Sequence, residues 1–297
     1  MILESVRKNK VSSFFIVSIF ITVIMVGIYF VCLYNGFGTA AAVTISLVFS
    51  IIPAIISYYN CDKMVLSLNH ARPATREQDL QLSVLLENLC IASGLPMPKL
   101  YVIEDKSPNA FATGRNPEHA VICVTTGLLE KLDKYELEGV LAHEMAHIKN
   151  YDILLSTVVS VFVGLVVILS DITSRFAFRG RRGSNDSDNK SDAIIAIIAI
   201  LFMILSPLFA TLMQLAISRK REFLADATGV EFTRNPQGLI DALTKISEDA
   251  DNPTYIANKA TAHMYISSPL KGKEKKSDLW STHPSTEKRI EALKNIH

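Results

Sequence analysis

Charge is distributed very unevenly along this chain. No charged residue occurs between Lys10 and Asp62. A bilayer-spanning helix needs about 20 apolar residues, so this run holds two, and Asn35-Gly36 near its middle marks a turn. The pattern predicts helices over 12–34 and 39–60, paired as a hairpin. Two more uncharged runs follow, Ile153 to Ser170 and Ala193 to Ser218. The second is long enough to span with tilt, and Pro207 can kink it. The first sits near the lower limit and reads either as a third span or as a buried core helix.

The intervening segments carry shorter periods. Thr75 and Gln78 form a capping box opening an amphipathic helix to Ser93, with Leu82, Leu85, Leu86 and Leu89 on one face and Gly94 as the stop. Lys99–Glu104 and Ala120–Thr125 read as short strands, with Asn109–Gly114 a third between them. A helix over 126–132 then leads to an N-cap pair, Asp133 with Glu136, which opens another helix. The tail from Pro284 to Ile296 predicts one closing helix. Gly180–Asp192 and Lys271–Asp278 are polar and read as solvated loops.

Composition sharpens this picture. Of 297 residues, 49% are hydrophobic, and with a mean hydropathy of +0.27 the chain is too apolar for an ordinary soluble domain, the excess being concentrated in these runs. The first apolar run is too long for a signal peptide and ends in no small-residue cleavage site, so it reads as a retained anchor. A net charge of +1 argues for no nucleic-acid partner. Cys32, Cys61, Cys90 and Cys123 show no paired spacing, hence neither a zinc knuckle nor a disulfide framework. Arg7, Lys8 and Lys10 precede the first span and the turn has no basic residue, so both ends of the hairpin are expected in the cytoplasm. A basic loop containing Arg175, Arg179, Arg181 and Arg182 joins the third and fourth apolar runs, against the rule for an external loop. The expected order is a hairpin (1–61), a first catalytic part (62–152), a second apolar pair (153–218, loop 174–192) and a second catalytic part (219–297).

The chemistry begins at His143-Glu-Met-Ala-His147. Residues four apart share a helical face, so both imidazoles can reach one zinc ion, with Glu144 beside them as general base. A bare five-residue match also occurs on helices that bind nothing. Here a largely apolar stripe, Leu137, Val140, Leu141 and Ala142, leads into it, and buried histidines need partners. A third ligand must come from elsewhere. Glu222 and Asp226, again four apart, follow the last apolar run. A Glu from a later helix completes a site of two His and one Glu, and Asp226 can fix the tautomer of a ligating His. His147 and Glu222 both sit within about 10 Å of the predicted membrane boundary, at 1.5 Å per helical residue.

These motifs together resemble the HtpX-type membrane zinc metalloproteases, relatives of the prenyl-protein (CAAX) endopeptidases and of a mitochondrial inner-membrane stress protease. Asn109-Ala-Phe-Ala-Thr-Gly114 and His283-Pro284, with Arg289 following, also match segments of that family, and the likeness covers nearly the whole chain. The resemblance implies a mainly α integral membrane protein with about four transmembrane helices and a cytoplasmic α+β gluzincin-like domain carrying a small sheet. It implies one Zn2+ on His143, His147 and Glu222, and no organic cofactor. It further implies proteolysis of misfolded membrane proteins at the cytoplasmic face of a bacterial plasma membrane.

By the same likeness Asp226 orients His143, His283 donates to the developing oxyanion, and Arg289 supports the His283 loop or pairs with a site carboxylate. Asn109, Ala110, Phe111 and Ala112 form an exposed edge strand that an extended substrate joins through its backbone. His70, His119, His263 and His297 lack ligand spacing and read as surface or structural. Two rivals stand beside this reading. One is a narrow processing protease. The other is a non-catalytic scaffold or chaperone with structural zinc, although such sites are usually closed by four protein ligands. A transporter fits poorly, because the spans carry no charge.

Overall fold

The computed structural model describes residues 2–161, 219–249, 261–267 and 284–296. His283, the loops 180–192 and 271–278, and the apolar runs beyond Val161 lie outside the described residues. The first hairpin is as expected. α1 (Ile2–Tyr34) and α2 (Thr39–Tyr59) are the two described helices long and apolar enough to cross a membrane. Their outward faces carry Phe14, Phe15, Phe49 and Ile56, each more than half exposed, while Ser13, Ala42, Ser46 and Ser50 are buried. Small residues inside and large apolar ones outside suit helices packed in lipid.

A short helix, α3 (Cys61–Leu68), was not expected from the pattern, and leads into β1 (Arg72–Pro73). α4 (Arg76–Ser93) has the capping box at Thr75 and Gln78, and Gly94 closes it at φ 71°, the left-handed conformation that favours glycine. β2 (Lys99–Ile103), β3 (Ala110–Thr113) and β4 (Val121–Thr125) complete a four-stranded sheet in the order β1-β2-β4-β3. β2 and β4 run parallel, whereas β3 returns antiparallel to β4 with Ala110 opposite Val124.

All five residues of β4 are buried because each face of the sheet meets a core. Alternation sends Ile122 and Val124 into the main core with Leu82, Leu86, Val140 and Leu141. Val121 and Cys123 enter a second core with Phe111, Met264 and Tyr265. α5 (Thr126–Lys131) bridges to α6 (Lys134–Lys149). The Oδ1 of Asp133 accepts from the Tyr135 and Glu136 amides at 2.9 and 3.1 Å, and Glu136 returns a bond to the Asp133 amide at 2.8 Å. α6 ends at Asn150, Tyr151 takes φ 57°, and a further helix, α7 (Asp152–Val161), starts at once. In α7, Ile153, Leu155, Val158 and Val159 are buried.

α8 (Arg219–Thr233) crosses α6, and α9 (Pro236–Glu248) and α10 (Thr286–Lys294) pack around the pair. The α6–α8 crossing depends on Gly229. A Cβ there would sit 3.1 Å from the His143 amide nitrogen and 3.2 Å from the Ala142 carbonyl carbon. The four cysteines are all free.

Candidate metal centre

α6 buries the whole motif. His143 and Glu144 are 1% and 2% exposed, and His147 is only slightly accessible. The histidine Nε2 atoms lie 3.2 Å apart. Glu222 in the first turn of α8 approaches both, with Oε2 3.8 Å from His143 Nε2 and Oε1 3.6 Å from His147 Nε2. Bonds of about 2.0–2.1 Å to a tetrahedral zinc set two donors roughly 3.3 Å apart, close to this triangle. Three ligand atoms, one from each residue, lie within 4.8 Å of one another.

The tautomers follow from what stands behind each ring. Asp226 Oδ1 lies 2.9 Å from His143 Nδ1, and Asp152 Oδ2 lies 2.9 Å from His147 Nδ1. A carboxylate can only accept, so each Nδ1 carries the hydrogen, and each Nε2 turns a lone pair inward when its imidazole is neutral. Two such lone pairs converging with a carboxylate form a donor set that fits a divalent zinc ion.

The electrostatics of the site follow from burial and its close carboxylates. Burial drives His147 down, but the Asp152 hydrogen bond and the Glu222 charge outweigh it and raise its pKa to about 9. Burial and the Arg289 guanidinium push His143 down to about 4, against the pull of Asp226. Glu144 is pushed up to about 7 by burial, with Glu222 adding to the rise and His147 and an Ala112 backbone hydrogen bond opposing it. A carboxyl poised there can both take and return a proton near neutral pH.

Arg289 explains how Asp226 stays charged while 2% exposed. Its Nε donates to Asp226 Oδ2 at 2.9 Å and its Nη2 to Asp226 Oδ1 at 2.6 Å. A third bond, from Nη1, reaches the Ile266 carbonyl at 3.2 Å. The guanidinium and His143 hold Asp226 below the usual carboxylate range although burial acts upward. Of the two roles expected for Arg289, the structure displays the carboxylate pair.

The β3 edge differs from the expectation. It is a sheet edge by pairing, yet its four residues are buried, not exposed. The Asn109 amide donates to the Ser267 carbonyl at 2.8 Å, and the Phe111 ring packs against Tyr265 with centroids 4.9 Å apart. The Ala110 carbonyl accepts from the Ile266 amide at 2.9 Å. Ala112 borders the narrow cleft of about 30 Å³ over the site, together with Glu144, His147, Glu222 and His263. His263, read as surface or structural, is buried at 5% exposure and borders this cleft. A larger, mostly apolar cavity of about 280 Å³, bordered by Phe20, Phe49, Pro53, Cys61 and Val158, lies in the hairpin region.

Sequence reasoning missed Asp152. Its signal was an acidic residue just past the helix end, five positions after His147, where a tight reversal folds it back onto the ring.

Comparisons with known proteins show the family. The profile of Peptidase family M48 matches residues 76–297. A protein described as "Protease HtpX homolog" from Listeria monocytogenes serotype 4a (strain HCC23) is 44% identical over 100% of both chains. A protein of the same description from Lactobacillus acidophilus is 41% identical over 100% of both, and one from Thermoanaerobacter pseudethanolicus is 41% identical over 99% of this chain and 96% of its own. The crystal structure of S. mikatae Ste24p matches with a TM-score of 0.46 and 20% identity, covering 83% of this chain and 57% of that one.

Proposed function

This chain belongs to peptidase family M48, and from that premise we propose that it is a zinc-dependent endopeptidase embedded in a bacterial plasma membrane. Its substrates are misfolded or damaged membrane proteins, cut at the cytoplasmic face. One observation carries the reading: His143, His147 and Glu222 converge on a single point beside a buried Glu144 tuned to about 7.

His143, His147 and Glu222 would hold the zinc, which when bound polarises the scissile carbonyl and makes water acidic near neutral pH. Glu144 takes the proton of the attacking water and passes it to the leaving amine. Asp226, clamped by Arg289, keeps His143 turned inward, and Asp152 does the same for His147. His283 is the proposed donor to the oxyanion. An extended substrate joins the β3 edge through the backbone of Ala110 and Ala112, displacing the Ile266 pairing. This mode reads main chain more than side chains and so favours broad specificity.

The test compares wild type with Glu144→Gln, both zinc-loaded in detergent, on an unfolded protein, with fragments read by mass spectrometry. Cleavage by wild type alone, stopped by a chelator, supports the peptidase. Equal cleavage by both overturns the assignment of Glu144. Zinc retention with no cleavage by either favours a scaffold.

A further inference from the structure

α1 was expected only to anchor the chain, yet one of its polar side chains reaches the metal centre. Asn9 lies just before the uncharged run and is 5% exposed. Its Nδ2 donates to Asp152 Oδ1 at 2.7 Å and to the Asn150 carbonyl at 3.0 Å. Its Oδ1 accepts from Arg221 Nη1 at 3.4 Å. Asp152 turns its other oxygen to His147 Nδ1 at 2.9 Å. The hydrogen bonds therefore run from the membrane hairpin, through one buried carboxylate, to a ligand imidazole. Next to Asn9, the Lys10 ammonium lies 4.0 Å above the Tyr151 ring, on the same reversal that delivers Asp152.

We propose that Asn9 is a positioning residue of the metal centre, holding Asp152 so that Asp152 holds His147, and that the hairpin completes the site as well as anchoring it. The inference rests on the metal-centre reading above. Its physical basis is the environment of Asp152, which is 4% exposed. A buried carboxylate needs donors on both oxygens. With Asn9 in place, the Asp152 oxygen facing away from His147 has Arg221 Nη1 at 3.8 Å, an ion pair longer than a hydrogen bond, so Asn9 supplies the hydrogen bond to that oxygen. A carboxylate short of a donor rotates or admits water, and the imidazole it orients loses direction and basicity. The alternative is a purely structural Asn9 that docks α1 on the Asn150 carbonyl.

The experiment measures zinc affinity by chelator competition on the full chain in detergent, together with the visible spectrum of the cobalt-loaded protein. Loss of a residue supporting a metal ligand typically costs about 10–100-fold in affinity. Asn9→Ala is expected to lose that much and to shift the cobalt bands. Asn9→Gln, which keeps the amide, recovers part of both. Ser13→Ala, one turn further along the same buried face, stays within about twofold of wild type. In an Asp152→Ala background, Asn9→Ala adds no further loss, since its effect passes through that carboxylate. Asn9→Ser carries the same expectation where Asn9→Ala does not fold. Unchanged affinity and spectrum, equal losses in Asn9→Gln and Asn9→Ala, or full additivity with Asp152→Ala would each overturn the proposal. A wild-type chain that binds no zinc overturns the metal-centre reading itself, whereas tight zinc in wild type and Asn9→Ala alike overturns this proposal alone.

Discussion

Arg289→Met tests the buried support behind His143. The guanidinium is 2% exposed and makes two bonds to Asp226, at 2.9 and 2.6 Å. Met replaces its volume with an apolar chain and leaves the Asp226 carboxylate, itself 2% exposed, with His143 Nδ1 at 2.9 Å. Removing one partner of a buried ion pair costs about 3–5 kcal/mol, because the other charge stays buried. The remaining His143 bond argues for the lower end, about 3 kcal/mol. At roughly 2–4 °C per kcal/mol for a domain of this size, the zinc-loaded protein should unfold about 6–12 °C earlier. Arg289→Lys should recover less than half of that, since an ammonium cannot reproduce the two-pronged contact. Thermal unfolding in mild detergent, followed by circular dichroism, reads the shift. The double variant Arg289→Met/Asp226→Asn should lose less than the sum of the singles, because neutralising Asp226 removes the stranded charge. An Arg289→Met protein that unfolds with wild type, or an Arg289→Lys protein indistinguishable from it, would refute the reasoning.

Glu144→Gln should retain zinc and lower turnover by about 100–10,000-fold, the usual contribution of a general base, as quenched peptide assays would reveal. Because burial raises Glu144 to about 7, the rate should fall as pH drops through that value or below it, as bound zinc lowers the midpoint; a flat profile over about two pH units below neutral would count against Glu144 as the base. Zinc must displace the proton that the metal-free site keeps on His147 up to about 9, whereas His143, depressed to about 4, has none to lose at neutral pH. Zinc affinity should therefore strengthen about tenfold per pH unit between roughly 7 and 9, with about one proton released by His147, which calorimetry in buffers of different ionisation enthalpy detects. Gly229→Ala places a methyl 3.1 Å from the His143 amide nitrogen, so α8 must retreat and carry Glu222 with it. Chelator competition should register weaker zinc binding in that variant, while Gly94→Ala, with open space around it, should lose only stability to its positive φ.

The parts legible in the sequence were those governed by local periods. The spacing of His143 and His147 fixes one helical face, and the same spacing links Glu222 to Asp226. The capping pairs at Thr75 and Asp133 set helix starts that the structure reproduces. β1, α3 and α9 were not read, although α9 carries its own signal in the Asn235 cap, Pro236 at its first position and buried Leu239, Leu243 and Ile246 at helical spacing. β1 is two residues long and depends on β2 for its pairing, so no alternating pattern develops. β3 was placed correctly but read as exposed, because the 261–267 segment that covers it lies far away in the chain. Asp152 was missed for a related reason. Its role depends on the positive φ of Tyr151, a non-glycine residue whose sequence gives no warning of a reversal.

The two motif histidines are supported in parallel ways by helices near either end of the sequence. Asp226 stands behind His143 and is clamped by Arg289 from α10, near the last residue. Asp152 stands behind His147 and receives Asn9 from α1, near the first. The five-residue motif forms within one helix as soon as α6 folds, but neither carboxylate has its full set of donors until a terminal helix docks. Metal affinity depends on that second layer, so docking free energy and metal-binding free energy are linked. A chain lacking either terminal helix would still present the two histidines at their helical spacing, yet hold zinc less tightly. On the proposed metal-centre reading, this linkage makes metal binding a property of the whole fold, which a motif match alone does not report.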